Sequence, residues 1–281
     1  MALPGPDHPA PAKLNLFLHV VGRRPDGYHL LQSAFILIDR PDRLRFAVRA
    51  DGLVRRVNEV PGVPSDEDLA VRAARLLQAA SGTRLGADIE IEKQVPMGAG
   101  LGGGSSDAAT TLRILNRLWS AGLDEPRLRE LGLRLGADVP FFLFGRPAWV
   151  EGIGERLRPL QWPELWYAVL VPPVGVPTKE VFAAAELTRN TEPLKMEDFS
   201  AQSWDECFHN DLEAAVVARF PAVGEHLRWL ARYGKARMTG SGSCVFAAFG
   251  RREEAQRVID ALPEGMQGFV ARGLGEHPLR E

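Results

Sequence analysis

The sequence predicts an α+β protein of two domains, on three observations. A strictly alternating strand runs into a glycine-rich loop and then into two amphipathic helices. The first half opens with strand-like runs, and the second half interleaves short strands with helices in the manner of a mixed, largely antiparallel sheet. Its 281 residues allow one large domain or two ordinary ones. Residues around 150–165 are rich in Gly, Pro and Trp and carry no clear period, which places the boundary there and gives domains 1–160 and 161–281.

Lys13 to Val21 reads as the first strand, ended by the turn signal Arg23-Arg-Pro-Asp-Gly27. Tyr28 to Ile38 and Arg43 to Val48 read as two further strands. Ser65 with Asp68 three residues on resembles a capping box, and Leu69, Ala73, Leu76, Leu77 and Ala80 predict a helix to about residue 80. Ala87 to Glu92 alternates, with Ile89 and Ile91 on one face and Asp88, Glu90 and Glu92 on the other, as a half-buried strand does. After the glycine loop, Ala108, Leu112, Leu115 and Leu118 predict a helix over 105–119. A second helix over 124–135 has Pro126 near its start. The second half reads as a strand at 167–171, helices at 179–187, 211–219, 223–233 and 253–262, and strands near 237, 245–249 and 269–272.

Composition excludes several classes. With 34 Lys+Arg against 36 Asp+Glu the formal charge is −2, so no global field attracts a nucleic acid or an anionic membrane, and any polyanion must meet a local site. The longest apolar stretch, Leu165 to Val176, is cut by Pro172, Pro173 and Gly175 and is too short to span a bilayer. The N-terminus lacks the basic and apolar regions of a secretory signal. Cys207 and Cys244 stand far apart without partners at ligand spacing, so neither a disulfide framework nor a zinc site is indicated, and a cytoplasmic protein is expected. Both cysteines, with His19 and His209, read as structural.

The chemistry concentrates in Pro96-Met97-Gly98-Ala99-Gly100-Leu101-Gly102-Gly103-Gly104-Ser105-Ser106, where five glycines fall within residues 98–104 and a helix follows. Without Cβ atoms the backbone can approach an anion, and successive N–H groups with the positive helix end form a phosphate cradle. Gly98-x-Gly100-x-x-Gly103 also fits a dinucleotide fingerprint. However, the entering strand is half charged and Asp124 starts a helix instead of ending a second strand. No Gly-Lys-Ser/Thr follows, so the loop is not a Walker A sequence. Ser105 and Ser106 are expected to cap the helix, and one of them to face Mg²⁺.

The loop resembles the central motif of the GHMP small-molecule kinases, named for galacto-, homoserine, mevalonate and phosphomevalonate kinases. Pro11-Ala-Lys-Leu-Asn-Leu-Phe-Leu18 is similar to that family's first motif and Met238-Thr-Gly-Ser-Gly-Ser-Cys-Val-Phe246 to its third, in the expected order. Arg24-Pro-Asp-Gly-Tyr-His29 and Leu135-Gly-Ala-Asp-Val-Pro-Phe-Phe142 narrow the resemblance. They point to the branch that phosphorylates the 2-hydroxyl of the methylerythritol part of a cytidine diphosphate ester, in the non-mevalonate route to isoprenoids. The resemblance implies a first domain like the second domain of ribosomal protein S5 and a ferredoxin-like second domain. It also implies ATP with Mg²⁺ as cosubstrate, with no tightly bound protein metal, nucleic acid or membrane partner.

Residue roles follow beside it. A tertiary alcohol needs a positioned base and the phosphoryl group needs positive charge. The resemblance assigns Asp138 and Lys13 as the catalytic pair; by residue type alone, Asp138 also reads as a turn or helix end before Pro140, and Lys13 as an exposed strand lysine. Asn15, two positions from Lys13 on a strand, shares its face and is expected to bind substrate or fix the lysine, although it also reads as a polar residue of an edge strand. The resemblance gives His29 a hydrogen bond to cytosine, Tyr28 a stacking place beside it and Phe182 the second aromatic position, although a lone Phe at helical spacing also suits a core. Gly240, Ser241 and Gly242 are expected to close the substrate side with backbone N–H groups. One position departs from the family: Asp68-Leu69 stands where Asn-Leu is usual near the adenine site. Two competing readings are a GHMP kinase for another alcohol, such as homoserine or mevalonate, and a non-catalytic nucleotide- or RNA-binding module.

Overall fold

A computed structural model describes residues 3–200 and 208–280, so Cys207 lies outside the described residues. The expected mixture of helices and mainly antiparallel strands is what forms. β1 (His8–Arg23) and β2 (His29–Arg49) make a long hairpin in which Lys13 lies opposite Leu37 and Asn15 opposite Phe35. The two strands expected at 28–38 and 43–48 are this one strand. Its pairing jumps from Ala12↔Ile38 to Pro11↔Pro41, a bulge that accommodates a proline with no N–H to give. Just beyond the bulge Asp42 is fully buried.

β3 (Val54–Arg56) runs parallel to β4 (Gly86–Glu92), which is antiparallel to the second half of β2. Ile89 and Ile91 face the core as their alternation predicts. α1 (Leu69–Ser81) crosses between β3 and β4, and its cap is Asp68, whose carboxylate accepts from Ala70 N at 2.8 Å. The capping box expected to begin at Ser65 does not form. α2 (Gly103–Leu118) starts within the glycine loop, after Gly102 at φ 72, with no side chain capping it. Ser105 and Ser106 therefore lie inside the first turn and do not cap the helix, because the left-handed glycine makes the entry before they are reached.

α3 (Glu125–Leu135) is capped by Asp124 through Arg127 N at 2.9 Å. Asp138 sits in the turn that follows α3, as a turn residue before Pro140, and is the N-cap of α4 (Val139–Phe144) rather than a helix C-terminus; the six residues of α4 are all buried. The stretch read as aperiodic holds a hairpin, β5 (Ala148–Gly152) and β6 (Arg156–Pro159), with β5 laid along β2.

The second half supplies β7 (Trp166–Leu170), α5 (Thr178–Ala183, shorter than expected), α6 (Glu213–Arg219), α7 (Pro221–Leu230), β8 (Arg237–Met238), β9 (Val245–Phe249), α8 (Arg252–Asp260) and β10 (Gly268–Leu274). β10 pairs with β7 and then, at Gly273 and Leu274, with Ile38 and Leu37 of β2. One ten-stranded sheet results, its main path running β3-β4-β2-β10-β7-β9-β8. Phe17, Ile36, Trp149, Tyr167 and Phe246 fill the core between the halves, each fully or almost fully buried. Side chains of this size contribute about 1.5–3 kcal/mol each on burial, so they fix how the site's two walls meet.

Candidate active site

The glycine loop and the third motif touch backbone to backbone. Cys244 N donates to Ala99 O at 3.1 Å, and Lys13 N donates to Leu101 O at 3.0 Å, tying β1 to the same loop. A Cβ on Gly100, at φ +79, would stand 2.3 Å from Thr239 O, and one on Gly240 would stand 3.1 Å from Gly100 O. These glycines are required by close approach. The first helical bond of α2 runs from Ser106 N to Gly102 O at 2.9 Å. The N–H groups of Gly102 to Ser105 precede it, at the positive end of a 16-residue helix. The arrangement can hold an anion.

Lys13 faces this loop and is 3% exposed; far from being a surface lysine, it has been drawn into the wall. Its Nζ donates to Asn15 Oδ1, lies 3.6 Å from Asp138 Oδ2 and sits 5.0 Å from the centre of the Phe35 ring. Burial pulls the Lys13 pKa below its ordinary value, and Asp138 opposes that pull. Asn15 is held in turn: its N–H donates to Thr239 Oγ1 at 2.9 Å and its Nδ2 to Ser33 Oγ at 3.2 Å. A buried ammonium and a carboxylate with 32% of its side chain exposed therefore share one end of the anion cradle.

At the other end, the His29 ring stacks on Phe182 at 5.1 Å and 27°, and Tyr28 stands 61% exposed at the mouth. Burial, then the charges of Arg189 and Arg23, lower the His29 pKa. A single cavity of about 1100 Å³ connects both ends. Lys13, Asn15, Tyr28, His29, residues 96–105, Asp138, Phe182, Gly240 and Ser241 line it. Ser106 and Gly242 do not: Ser106 is fully buried, and a Cβ on Gly242 would meet Met238 Sδ at 2.8 Å. Of the two serines, Ser105 is the one at the cavity wall, while the buried Ser106 hydroxyl has no hydrogen-bond partner among the described residues. His19, His209 and Cys244 are not among its lining residues.

Other residues of the site carry little local signal. Lys93, at the foot of the loop, donates to Asp42 Oδ2 and, at 2.8 Å, to Asp107 Oδ2. Asp42 Oδ1 also accepts from Gln94 N and Val95 N at 2.6 and 2.8 Å, so these side chains fasten the strand entering the loop to the helix leaving it. Burial lowers the Lys93 pKa, but the two carboxylates outweigh it and hold the ammonium above its ordinary value. Burial raises the pKa of Asp107, against the pull of Lys93. Asp68 lines the cavity with both oxygens engaged, one by Ala70 N and the other by Arg56 Nη1 at 2.6 Å.

A glycine cradle at a helix N-terminus, facing a buried lysine and a half-open aspartate across one cavity, defines a small-molecule phosphotransferase site. The family models GHMP kinases N terminal domain and GHMP kinases C terminal match residues 68–146 and 183–268. The chain is 58% identical over 274 residues to the 4-diphosphocytidyl-2-C-methyl-D-erythritol kinase of Aromatoleum aromaticum, covering 98% of this chain and 95% of that one. It is 60% identical over 271 residues to the protein of the same name from Thiobacillus denitrificans, covering 96% of each. A crystal structure of 4-(cytidine 5'-diphospho)-2C-methyl-D-erythritol kinase superposes with a TM-score of 0.84 at 36% identity, covering 96% of this chain and 100% of that one. The chain belongs to the GHMP kinase family, in the branch formed by the 4-diphosphocytidyl-2-C-methyl-D-erythritol kinases, and is a small-molecule kinase.

Proposed function

We propose that this protein transfers the γ-phosphoryl group of ATP to the 2-hydroxyl of 4-diphosphocytidyl-2-C-methyl-D-erythritol, giving the 2-phosphate, as a cytoplasmic step of isoprenoid synthesis by the non-mevalonate route. One observation carries the reading: the Lys13–Asp138 pair and the His29–Phe182 stack open into the same cavity as the glycine loop. Asp138 accepts the hydroxyl proton as the phosphoryl group arrives. Lys13, fixed by Asn15, orients that carboxylate and offsets the negative charge around the reacting oxygen. The N–H groups of Gly102 to Ser105 hold the ATP phosphates, and the Gly240–Ser241 backbone supports the diphosphate of the acceptor. His29 hydrogen-bonds cytosine, with Tyr28 and Phe182 as its aromatic neighbours.

Ser105, at the cavity wall, is an oxygen donor suited to a magnesium ion carried in on ATP, whereas the buried Ser106 hydroxyl does not face the cavity. Bound there, the ion would neutralise phosphate charge. The two-part division at residue 160/161 remains part of this proposal and falls between β6 and β7.

The test is phosphate transfer from ATP and Mg²⁺ to the cytidine ester, with homoserine and mevalonate as parallel acceptors. Product with the cytidine ester alone is expected. Transfer only to another alcohol would discard the cytosine pocket, and no transfer to any acceptor would favour a binding module.

A further inference from the structure

Arg189 takes no part in the roles above, yet it organises the base end of the cavity. Its Nε donates to His29 Nε2 at 3.2 Å. One terminal nitrogen donates to Leu187 O at 3.0 Å, and the other to the carbonyls of Phe182, at 3.1 Å, and Ala184. A guanidinium has donors only and does not lose its proton in proteins. His29 Nε2 must therefore accept, which leaves the proton of the neutral ring on Nδ1. The same planar fork grips the backbone that carries Phe182, whose ring lies on His29. One side chain thus sets both the tautomer of the histidine and the seat of the aromatic against it.

We infer that Arg189 is a positioning residue: it presents His29 Nδ1–H as a fixed hydrogen-bond donor to a pyrimidine base and so favours cytosine over uracil. The inference rests on the cytidine-ester reading. His29 lines the cavity, and its Nδ1 has no hydrogen-bond partner among the described residues. Cytosine N3 is an acceptor, whereas uracil N3 carries a hydrogen. A donor that cannot reverse its role suits the first and opposes the second; an imidazole free to change tautomer would serve either.

The test uses the full chain, CDP and UDP as probes, and two variants. Arg189→Met keeps the apolar stem and removes every donor; Arg189→Lys keeps a donor without the fork. The ¹⁵N shifts of the His29 ring nitrogens report the tautomer directly. The wild type is expected to show a protonated Nδ1. In Arg189→Met the ring moves toward Nε2 protonation, CDP binding weakens about tenfold and the preference for CDP over UDP narrows. The KM for the acceptor rises while kcat and the KM for ATP hold. Arg189→Lys is expected to retain the Nδ1 tautomer with an intermediate loss of CDP affinity. Unchanged His29 shifts and an unchanged CDP-to-UDP ratio in Arg189→Met would overturn the inference. Should that variant not fold, an Nε2-protonated His29 with full CDP affinity in Arg189→Lys overturns it instead. A wild type that binds neither nucleotide, yet whose Nδ1 tautomer is lost in Arg189→Met, would overturn the substrate reading while supporting the control of His29 by Arg189.

Discussion

Lys13 is held almost without water, 3% exposed, with Asp138 as its charged neighbour. Removing Asp138 leaves the lysine its bond to Asn15 and its place against the Phe35 ring, and Asp138 itself is one-third exposed. Asp138→Asn should therefore lower kcat about 100- to 10,000-fold, the range of a lost general base, while moving the melting temperature little. A variant with near-normal turnover would rule out Asp138 as the base. Lys13→Met should also abolish turnover but melt no lower than the wild type, because replacing a buried charge by an apolar side chain of similar length removes a desolvation cost. The same desolvation dictates a pH effect. Lys13 carries its charge below its folded pKa and loses it above, and burial has pulled that pKa below 10.5. The alkaline fall in kcat/KM should begin at lower pH than an ordinary lysine would give, which a pH–rate profile measures.

The glycine loop shows how one element can carry opposite demands at neighbouring positions. Gly100→Ala would place a methyl 2.3 Å from Thr239 O at a positive φ, so the loop and the third motif must part. Its activity should be lost, with a stability drop of about 2–4 kcal/mol by denaturant titration. Gly104 lies within α2, and its Cβ would meet only Leu69 Cδ1 at 3.6 Å. Gly104→Ala should fold as well as the wild type or gain up to about 1 kcal/mol, while the new methyl at the cradle raises the KM for ATP. The loop itself was legible because glycine density, an alternating strand before and a periodic helix after are all local signals. The helix start at Asp124 was legible for the same reason, although its capping bond was not. α4 was not: Val139 to Phe144 is apolar throughout, so no period marks a helix, and only burial on every side makes one. Nor could Lys93, Asp42 and Asp107 be joined on paper, since they meet through a bulge whose position is set by the pairing of β1 with β2. Arg189 lies 160 positions from the histidine it orients, and no pattern in sequence spans that distance.

At the scale of the whole molecule, the last described residues bind the second half back onto the first. After β10 has paired with β2, His277 N donates to Gly145 O at 2.8 Å, and Leu279 N donates to His277 Nδ1 at 3.0 Å. Leu279 O then takes Arg113 Nη1 at 3.0 Å and Arg117 Nη2 at 3.2 Å, both from α2. This closure holds the far end of the helix whose first turn forms the cradle. His277 is 3% exposed, and burial, with Arg113 beside it, pushes its pKa from 6.5 to about 3. In the unfolded chain it takes up a proton near 6.5; in the fold it does not until about 3. Stability from this group is therefore complete above the unfolded value and is lost as the pH falls between the two. His19, lowered by burial to about 4, adds its own slope over much of the same range. Removing one histidine should thus flatten the acid dependence without abolishing it. His277→Gln keeps an oxygen that can accept from Leu279 N and cannot charge. It should match the wild-type melting temperature near pH 7 and exceed it at pH 4, with the gap opening as the pH drops through 6. Parallel melting curves at both pH values would show that His277 stays out of the acid unfolding.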